Sequence, residues 1–126
     1  MKRILVIDDD IQIRQMLKQM LEREKYEVVE ASDGKRAMEL YRQAPTDLVI
    51  VDIIMPVKGG IETIYELRRD FHDVKIIVMS GGSRLLNKDD YLNIYRAQDI
   101  PTLSKPFSRK ELLEAINGLL EDVAVS

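Results

Sequence analysis

Cysteine is absent from the sequence, and histidine occurs only once. The lack of cysteine excludes disulfide bonds and every thiolate metal site. A chain without cysteine suits a reducing compartment or is indifferent to redox state, so the composition favours the cytoplasm. The single histidine, His72, falls in a polar turn, where we expect a surface side chain and no chemistry.

An excess of charge of one sign is also lacking, and so are long hydrophobic runs. The 19 Lys and Arg residues nearly balance the 22 Asp and Glu residues, which gives a formal charge of −3 and an isoelectric point near 5.2. This balance argues against direct binding to nucleic acid, which requires a broad basic surface. The longest apolar runs have the length of a strand, and the opening MKRILVIDDD matches neither a signal peptide nor a membrane span. We therefore expect no direct contact with nucleic acid or with membranes.

What is present is the composition of an ordinary soluble domain: 126 residues, of which 45% are hydrophobic and 33% charged. We predict one domain over residues 1–126, with the last helix ending near residue 121 and a tail at 122–126. Apolar runs rich in β-branched residues predict five strands, at about 4–7, 26–31, 48–51, 75–79 and 101–104. Amphipathic patterns predict a helix after each strand, at about 11–24, through Ala37 to Tyr41, at about 61–70, at about 87–97, and from the capping box of Ser108 and Glu111 onward.

This alternation predicts an α/β fold. Parallel strands need crossover connections, and helices in those crossovers cover both faces of the sheet. We expect a doubly wound, flavodoxin-like domain with a five-stranded parallel sheet in the order 2-1-3-4-5 and five helices. Strands 1 and 3 are then neighbours at the point where the chain reverses direction, and ligands of such sheets bind at that point.

Acidic residues follow both of these strands. Asp8, Asp9 and Asp10 come directly after strand 1, and Asp52 comes directly after strand 3. Carboxylates gathered at one edge repel one another unless a cation compensates their charge. Oxygen ligands without cysteine or histidine suit a hard divalent ion, Mg²⁺ foremost, with Mn²⁺ or Ca²⁺ as alternatives. For Asp10 we expect only the role of N-cap of the first helix.

Two further side chains are predicted at the same edge. Ser80 directly follows the fourth strand and Lys105 follows the fifth, so a hydroxyl and an ammonium group are expected to converge on the carboxylates. A carboxylate nucleophile, a metal, a hydroxyl and a lysine are the groups that a phosphoryl acceptor needs. In this interpretation Asp52 is the nucleophile.

These residues lie in segments that resemble the receiver domain of bacterial two-component response regulators. The resemblance covers nearly the whole chain and rests on ILVIDDD at 4–10, DLVIVDIIMPVKGG at 47–60, IIVMSGG at 76–82 and SKPFS at 104–108. It implies that Asp52 is the phosphoacceptor. It implies further that Mg²⁺ is held by Asp8, Asp9, Asp52 and the backbone carbonyl of Ile54.

The resemblance also implies roles for the rest of the site. Ser80 and Lys105 would bind phosphoryl oxygens, Pro56 and Gly60 would shape the loop after the phosphoacceptor, and the Lys105–Pro106 peptide would be cis. Such a domain is a signalling switch that catalyses only its own phosphorylation and dephosphorylation. Its partners would be a sensor histidine kinase or histidine phosphotransferase, and a downstream protein or an output domain. The switched surface would be formed by the predicted helix at 87–97, the fifth strand and the last helix.

One position departs from the family and leaves two alternatives open. The family usually has an aromatic switch residue three positions before the lysine, where this chain has Thr102. Either the switch that links Ser80 and Thr102 is weaker, or Tyr91 or Tyr95 takes the part of the aromatic residue. Two alternative functions also stay open.

One is a receiver-like interaction module that works without phosphorylation, which is consistent with Thr102. The other is a small phosphatase with an aspartate nucleophile, which would want a second acid at position 54, where Ile54 stands.

Overall fold

The computed structural model describes residues 1–53, 59–80 and 100–120. Five parallel strands form one sheet in the order β2-β1-β3-β4-β5, which confirms the predicted topology. The elements in chain order are β1 Arg3–Ile7, α1 Ile11–Arg23, β2 Glu27–Ala31, α2 Gly34–Gln43, β3 Leu48–Asp52, α3 Gly60–Asp70, β4 Ile76–Ser80, β5 Thr102–Ser104 and α4 Arg109–Leu120. Four of the five predicted helices are thus present, and the one predicted at about 87–97 lies outside the described residues, as does the tail.

The sheet separates two apolar layers, because successive side chains of a strand point to opposite faces. Along β1, Leu5 and Ile7 belong to one layer and Ile4 and Val6 to the other. The first layer is covered by α2 and α3, through Ala37, Met38, Tyr41, Ile64 and Leu67. The second is covered by α1 and α4, through Leu17, Leu21, Leu112 and Ile116. Helices therefore cover both faces, as the unbroken apolar strands predicted.

Side chains at the helix starts satisfy backbone N–H groups that have no partner inside the helix. Asp10 accepts from the backbone N–H of Gln12 at 2.8 Å, which confirms its predicted role as N-cap of α1. At the start of α4, Ser108 and Glu111 each accept a hydrogen bond from the other's backbone N–H, at 3.0 and 3.1 Å. The predicted capping box is therefore present.

Some details differ from the sequence prediction, and the strand ends shift by about one residue, so that Asp52 is the last residue of β3. β4 continues to Ser80, because the ladder with β5 pairs Ser80 with Ser104. Met16 recurs with Ile13 and Met20 at helical spacing, which predicts that it is buried, but it is 40% exposed. It is displaced by about 100° around the helix axis from the buried Leu17, and so it lies at the margin of the apolar stripe. Among the described residues, no helix is long and apolar enough to cross a membrane.

Candidate functional site

The sheet brings three carboxylates together at its carboxyl edge. β1 and β3 are adjacent, with Ile7 opposite Val51, so the residues that follow in register are Asp8 and Asp52. Carboxylate oxygens of Asp8, Asp9 and Asp52 lie within 4.8 Å of one another. Asp8 is fully buried and Asp52 is 8% exposed, whereas Asp9 is open to solvent. A group of oxygen donors of this kind suits a hard divalent cation, because a cation removes the repulsion between the buried charges.

Asp8 is held in place by hydrogen bonds at its backbone and at both carboxylate oxygens. Its backbone N–H donates to the carbonyl of Ala31 at 3.1 Å, which extends the pairing of β1 with β2 past the end of the strand. Its Oδ1 accepts from the backbone N–H of Asp10 at 2.9 Å, and its Oδ2 accepts from Lys105 Nζ at 2.9 Å. A buried carboxylate requires such partners, since an unsatisfied charge would destabilise the fold.

Lys105 supplies the fixed cation of the site. Its Nζ lies 2.9 Å from Asp8 Oδ2 and 3.4 Å from Asp52 Oδ2, and its side chain is 19% exposed. Burial lowers the pKa of Lys105, but its hydrogen bond to Asp8 and the negative charges of Asp52 and Asp8 outweigh burial, so the pKa lies above its ordinary value. The backbone N–H of Lys105 donates to the carbonyl of Ser80 at 2.8 Å, and the Lys105–Pro106 peptide is cis, as the resemblance implied.

The remaining predicted site residues are distributed as follows. Ser80 is the last residue of β4 and is 6% exposed, at the same edge of the sheet as the carboxylates. Thr102 begins β5 opposite Val78 and is half-buried. Gly60 begins α3, and its N–H donates to the carbonyl of Ile53 at 2.9 Å. Ile54 and Pro56 lie outside the described residues.

Sequence reasoning missed one side chain that reaches this site. Arg14 of α1 donates from Nη1 to the backbone carbonyl of Asp8 at 2.7 Å, and from Nε to Glu30 Oε1 of β2 at 3.3 Å. The sequence does contain a signal for it. Glu30 is a charged residue within the apolar run of β2, and Arg14 stands one helical turn after Asp10.

A cavity at the opposite, amino edge of the sheet plays no part in this arrangement. It has a volume of about 410 Å³ and is lined by residues that include Lys2, Asp47, His72 and Lys75. His72 is exposed there, as the sequence predicted. Its place at the other edge of the sheet separates it from the carboxylates of Asp8, Asp9 and Asp52, which together are called the acidic group.

Comparison with known proteins gives consistent matches. The family model described as the response regulator receiver domain matches residues 4–117. Among curated proteins, the transcriptional regulatory protein CpxR of Escherichia coli is 35% identical over an alignment of 127 positions, which covers 95% of this chain and 50% of CpxR. The response regulator GtcR of Aneurinibacillus migulanus is 37% identical over 119 residues, which cover 94% of this chain and 48% of GtcR. The chain thus spans about half the length of these curated relatives.

Solved structures agree with the sequence matches. The response regulator TrrA of Thermotoga maritima, solved in complex with Mg²⁺-BeF, is 36% identical and superposes with a TM-score of 0.83 over 95% of this chain and 100% of that chain. A receiver domain protein from Clostridium thermocellum has 26% identity and a TM-score of 0.87, with 99% of this chain and 98% of that chain covered. The chain therefore belongs to the response regulator receiver domain family.

Proposed function

We propose that Asp52 accepts a phosphoryl group, in a reaction that depends on Mg²⁺, from the phosphohistidine of a sensor histidine kinase or a histidine phosphotransferase. The observation that carries this proposal is the position of the Asp52 carboxylate. It lies within 4.8 Å of the carboxylates of Asp8 and Asp9, and 3.4 Å from the ammonium group of Lys105. A nucleophile flanked by a cation-binding group and a fixed cation has the surroundings that phosphoryl transfer requires.

The donor set fits a magnesium ion. The carboxylates of Asp8, Asp9 and Asp52, with the backbone carbonyl of Ile54, would hold it, and all four are the hard oxygen ligands that Mg²⁺ prefers. The bound ion would neutralise negative charge on the phosphoryl oxygens. The related TrrA was solved with Mg²⁺ and BeF, a group similar in shape and charge to a phosphoryl group, which supports this assignment.

The protein side chains then have distinct roles. A carboxylate oxygen of Asp52 attacks the phosphorus atom, the new O–P bond forms, and the N–P bond to the donor imidazole breaks, with the electron pair leaving on the imidazole nitrogen. Lys105 and Ser80 bind phosphoryl oxygens through their ammonium and hydroxyl groups. Water later attacks the phosphorus atom of the acyl phosphate, the O–P bond to Asp52 breaks, and inorganic phosphate leaves as the carboxylate is regenerated. The domain catalyses only these two reactions on itself.

The phosphorylated domain would act through protein contacts. The added charge at Asp52 biases the surface formed by the helix predicted at 87–97, β5 and α4, with Ser80 and Thr102 as the switch residues. The partners that this implies are the kinase or phosphotransferase and a downstream protein or output domain, in the cytoplasm and without direct contact to nucleic acid or membrane. We propose residues 1–126 as one receiver domain with a tail at 122–126.

The test is the intact mass of the protein after incubation with Mg²⁺ and acetyl phosphate. We expect an adduct of one phosphoryl group in the parent, and none in Asp52→Asn or when a chelator removes Mg²⁺. Asp47→Asn, which changes an acid at the amino end of β3, should keep the adduct and serves as the matched control. If the parent gains no adduct while it binds Mg²⁺, the proposal is wrong, and a phosphorylation-independent interaction module, which Thr102 favours, takes its place.

A further inference from the structure

Arg14 connects the turn after β1 to β2, the strand that pairs with β1. Its guanidinium group donates to the backbone carbonyl of Asp8 at 2.7 Å and to Glu30 Oε1 at 3.3 Å. The side chain is only 15% exposed. The other carboxylate oxygen of Glu30 lies 3.8 Å from Lys18 Nζ, so Glu30 is itself held by two cations.

The contact with Asp8 completes the set of bonds around that residue. The backbone N–H and both carboxylate oxygens of Asp8 are bonded to Ala31, Asp10 and Lys105, and Arg14 occupies the carbonyl. Lys105 also faces Asp52, so its ammonium group is shared between two of the carboxylates. Among the described residues, the hydrogen bonds of Arg14 go to the backbone carbonyl of Asp8 and to Glu30, so Arg14 contacts the main chain of the site and leaves the carboxylate oxygens of Asp8 to other donors.

Arginine is suited to this position because its planar guanidinium group donates in several fixed directions at once. One donor fixes the turn between β1 and α1, which carries Asp8 and Asp9, and a second is fixed by Glu30 at the end of β2. A lysine has a single nitrogen and would not span both acceptors in the same geometry.

We propose that Arg14, held by Glu30, is a positioning residue that sets the affinity of the site for a divalent cation by fixing the turn that carries Asp8 and Asp9. This inference rests on the proposed metal-dependent function. Two effects oppose each other here. The charge of Arg14 repels a divalent cation, whereas its hydrogen bond orders the ligands. The adjacent Glu30 carboxylate compensates the charge, so positioning prevails.

The experiment is calorimetric titration of Mg²⁺ into the parent and four variants. Loss of a group that orients a metal ligand costs about 10-fold to 100-fold in metal affinity, and we expect Arg14→Ala to raise the Kd by about that much. Arg14→Lys should recover only part of the loss, and Glu30→Gln should raise the Kd less than Arg14→Ala. Arg36→Ala removes an exposed arginine with its own Glu39 partner and should leave the Kd unchanged.

The rate of modification by acetyl phosphate gives a second readout, which a purely structural role would not produce. In Arg14→Ala the Mg²⁺ concentration for half-maximal rate should rise, while the rate at saturating Mg²⁺ returns to that of the parent. If folded Arg14→Ala has an unchanged or lower Kd for Mg²⁺, this inference is wrong while the proposed function stands. If Arg14→Ala does not fold, Arg14→Lys and Glu30→Gln decide the matter by the same criterion. A parent protein that binds no Mg²⁺ would overturn the proposed function together with this inference.

Discussion

Gly60 lies so close to Asp52 that a Cβ atom at position 60 would be 2.1 Å from the Asp52 carbonyl oxygen. The same atom would lie 2.7 Å from the Cα of Ile53. Since both obstacles are backbone atoms, no side chain can move away to make room. The first residue of α3 therefore packs directly on the end of the strand that carries the proposed phosphoacceptor.

We predict that Gly60→Ala lowers the free energy of unfolding by about 1–3 kcal/mol, because the backbone at the end of β3 must shift. It should also weaken Mg²⁺ binding, because the shift displaces Asp52. Gly118→Ala is the matched control: its Cβ meets nothing within 4 Å, and alanine in a helix should stabilise α4 by about 0.5–1 kcal/mol. Urea denaturation measures the free energy of unfolding of both variants, and equal changes in the two would contradict the prediction.

Asp10 provides a test of the distinction between a cap and a ligand. We predict that Asp10→Ala costs about 1 kcal/mol of stability through loss of its bond to the N–H of Gln12, while Asp10→Asn costs less because the amide oxygen still accepts. Neither variant should change the Kd for Mg²⁺ by more than about twofold. A large loss of metal affinity in Asp10→Asn would show that this side chain belongs to the metal site.

Magnesium should stabilise the folded protein through the acidic group. At a free Mg²⁺ concentration of about 100 times the Kd, binding to the folded state alone adds about 2.7 kcal/mol to the free energy of unfolding. We expect this gain from MgCl₂ but not from NaCl at equal ionic strength, and we expect it to be strongly reduced in Asp9→Asn. Glu114→Gln changes an exposed acid on α4 and should keep the full gain. Equal stabilisation of all variants would indicate a non-specific salt effect.

The raised pKa of Lys105 predicts a dependence of stability on pH. Because the folded protein holds this proton more tightly than the unfolded chain, the contribution to stability is complete below about pH 10.4 and is lost as the pH rises through the folded pKa. The difference in stability between the parent and Lys105→Met, without metal, should therefore shrink as the pH rises above about 10.4. Lys110→Met, which removes an ammonium group from a side chain that is 84% exposed, is measured alongside as the control. A difference that is constant over this range would contradict the prediction.

The sequence was sufficient to predict the parts of the fold that depend on local pattern. The apolar runs placed β1 and β3, and the chain order then placed Asp8 and Asp52 at neighbouring strand ends. Contacts between distant segments could not be predicted in the same way. The inclusion of Ser80 in β4 depends on pairing with β5, and the contacts of Arg14 depend on the direction in which a long side chain turns.

The position of Lys105 directly after β5 links the acidic group to the shortest strand of the sheet. Among the described residues, β5 is an edge strand of three residues that pairs with β4 alone, whereas Asp8 directly follows β1 and Asp52 ends β3, which are both interior strands. The ion pairs of Lys105 therefore fasten the edge of the sheet to its centre. In terms of local unfolding, a ligand that takes the carboxylates from Lys105 lowers the free energy for opening of β5, so that the amides of the edge strand exchange hydrogen with solvent faster while those of β1 and β3 stay protected.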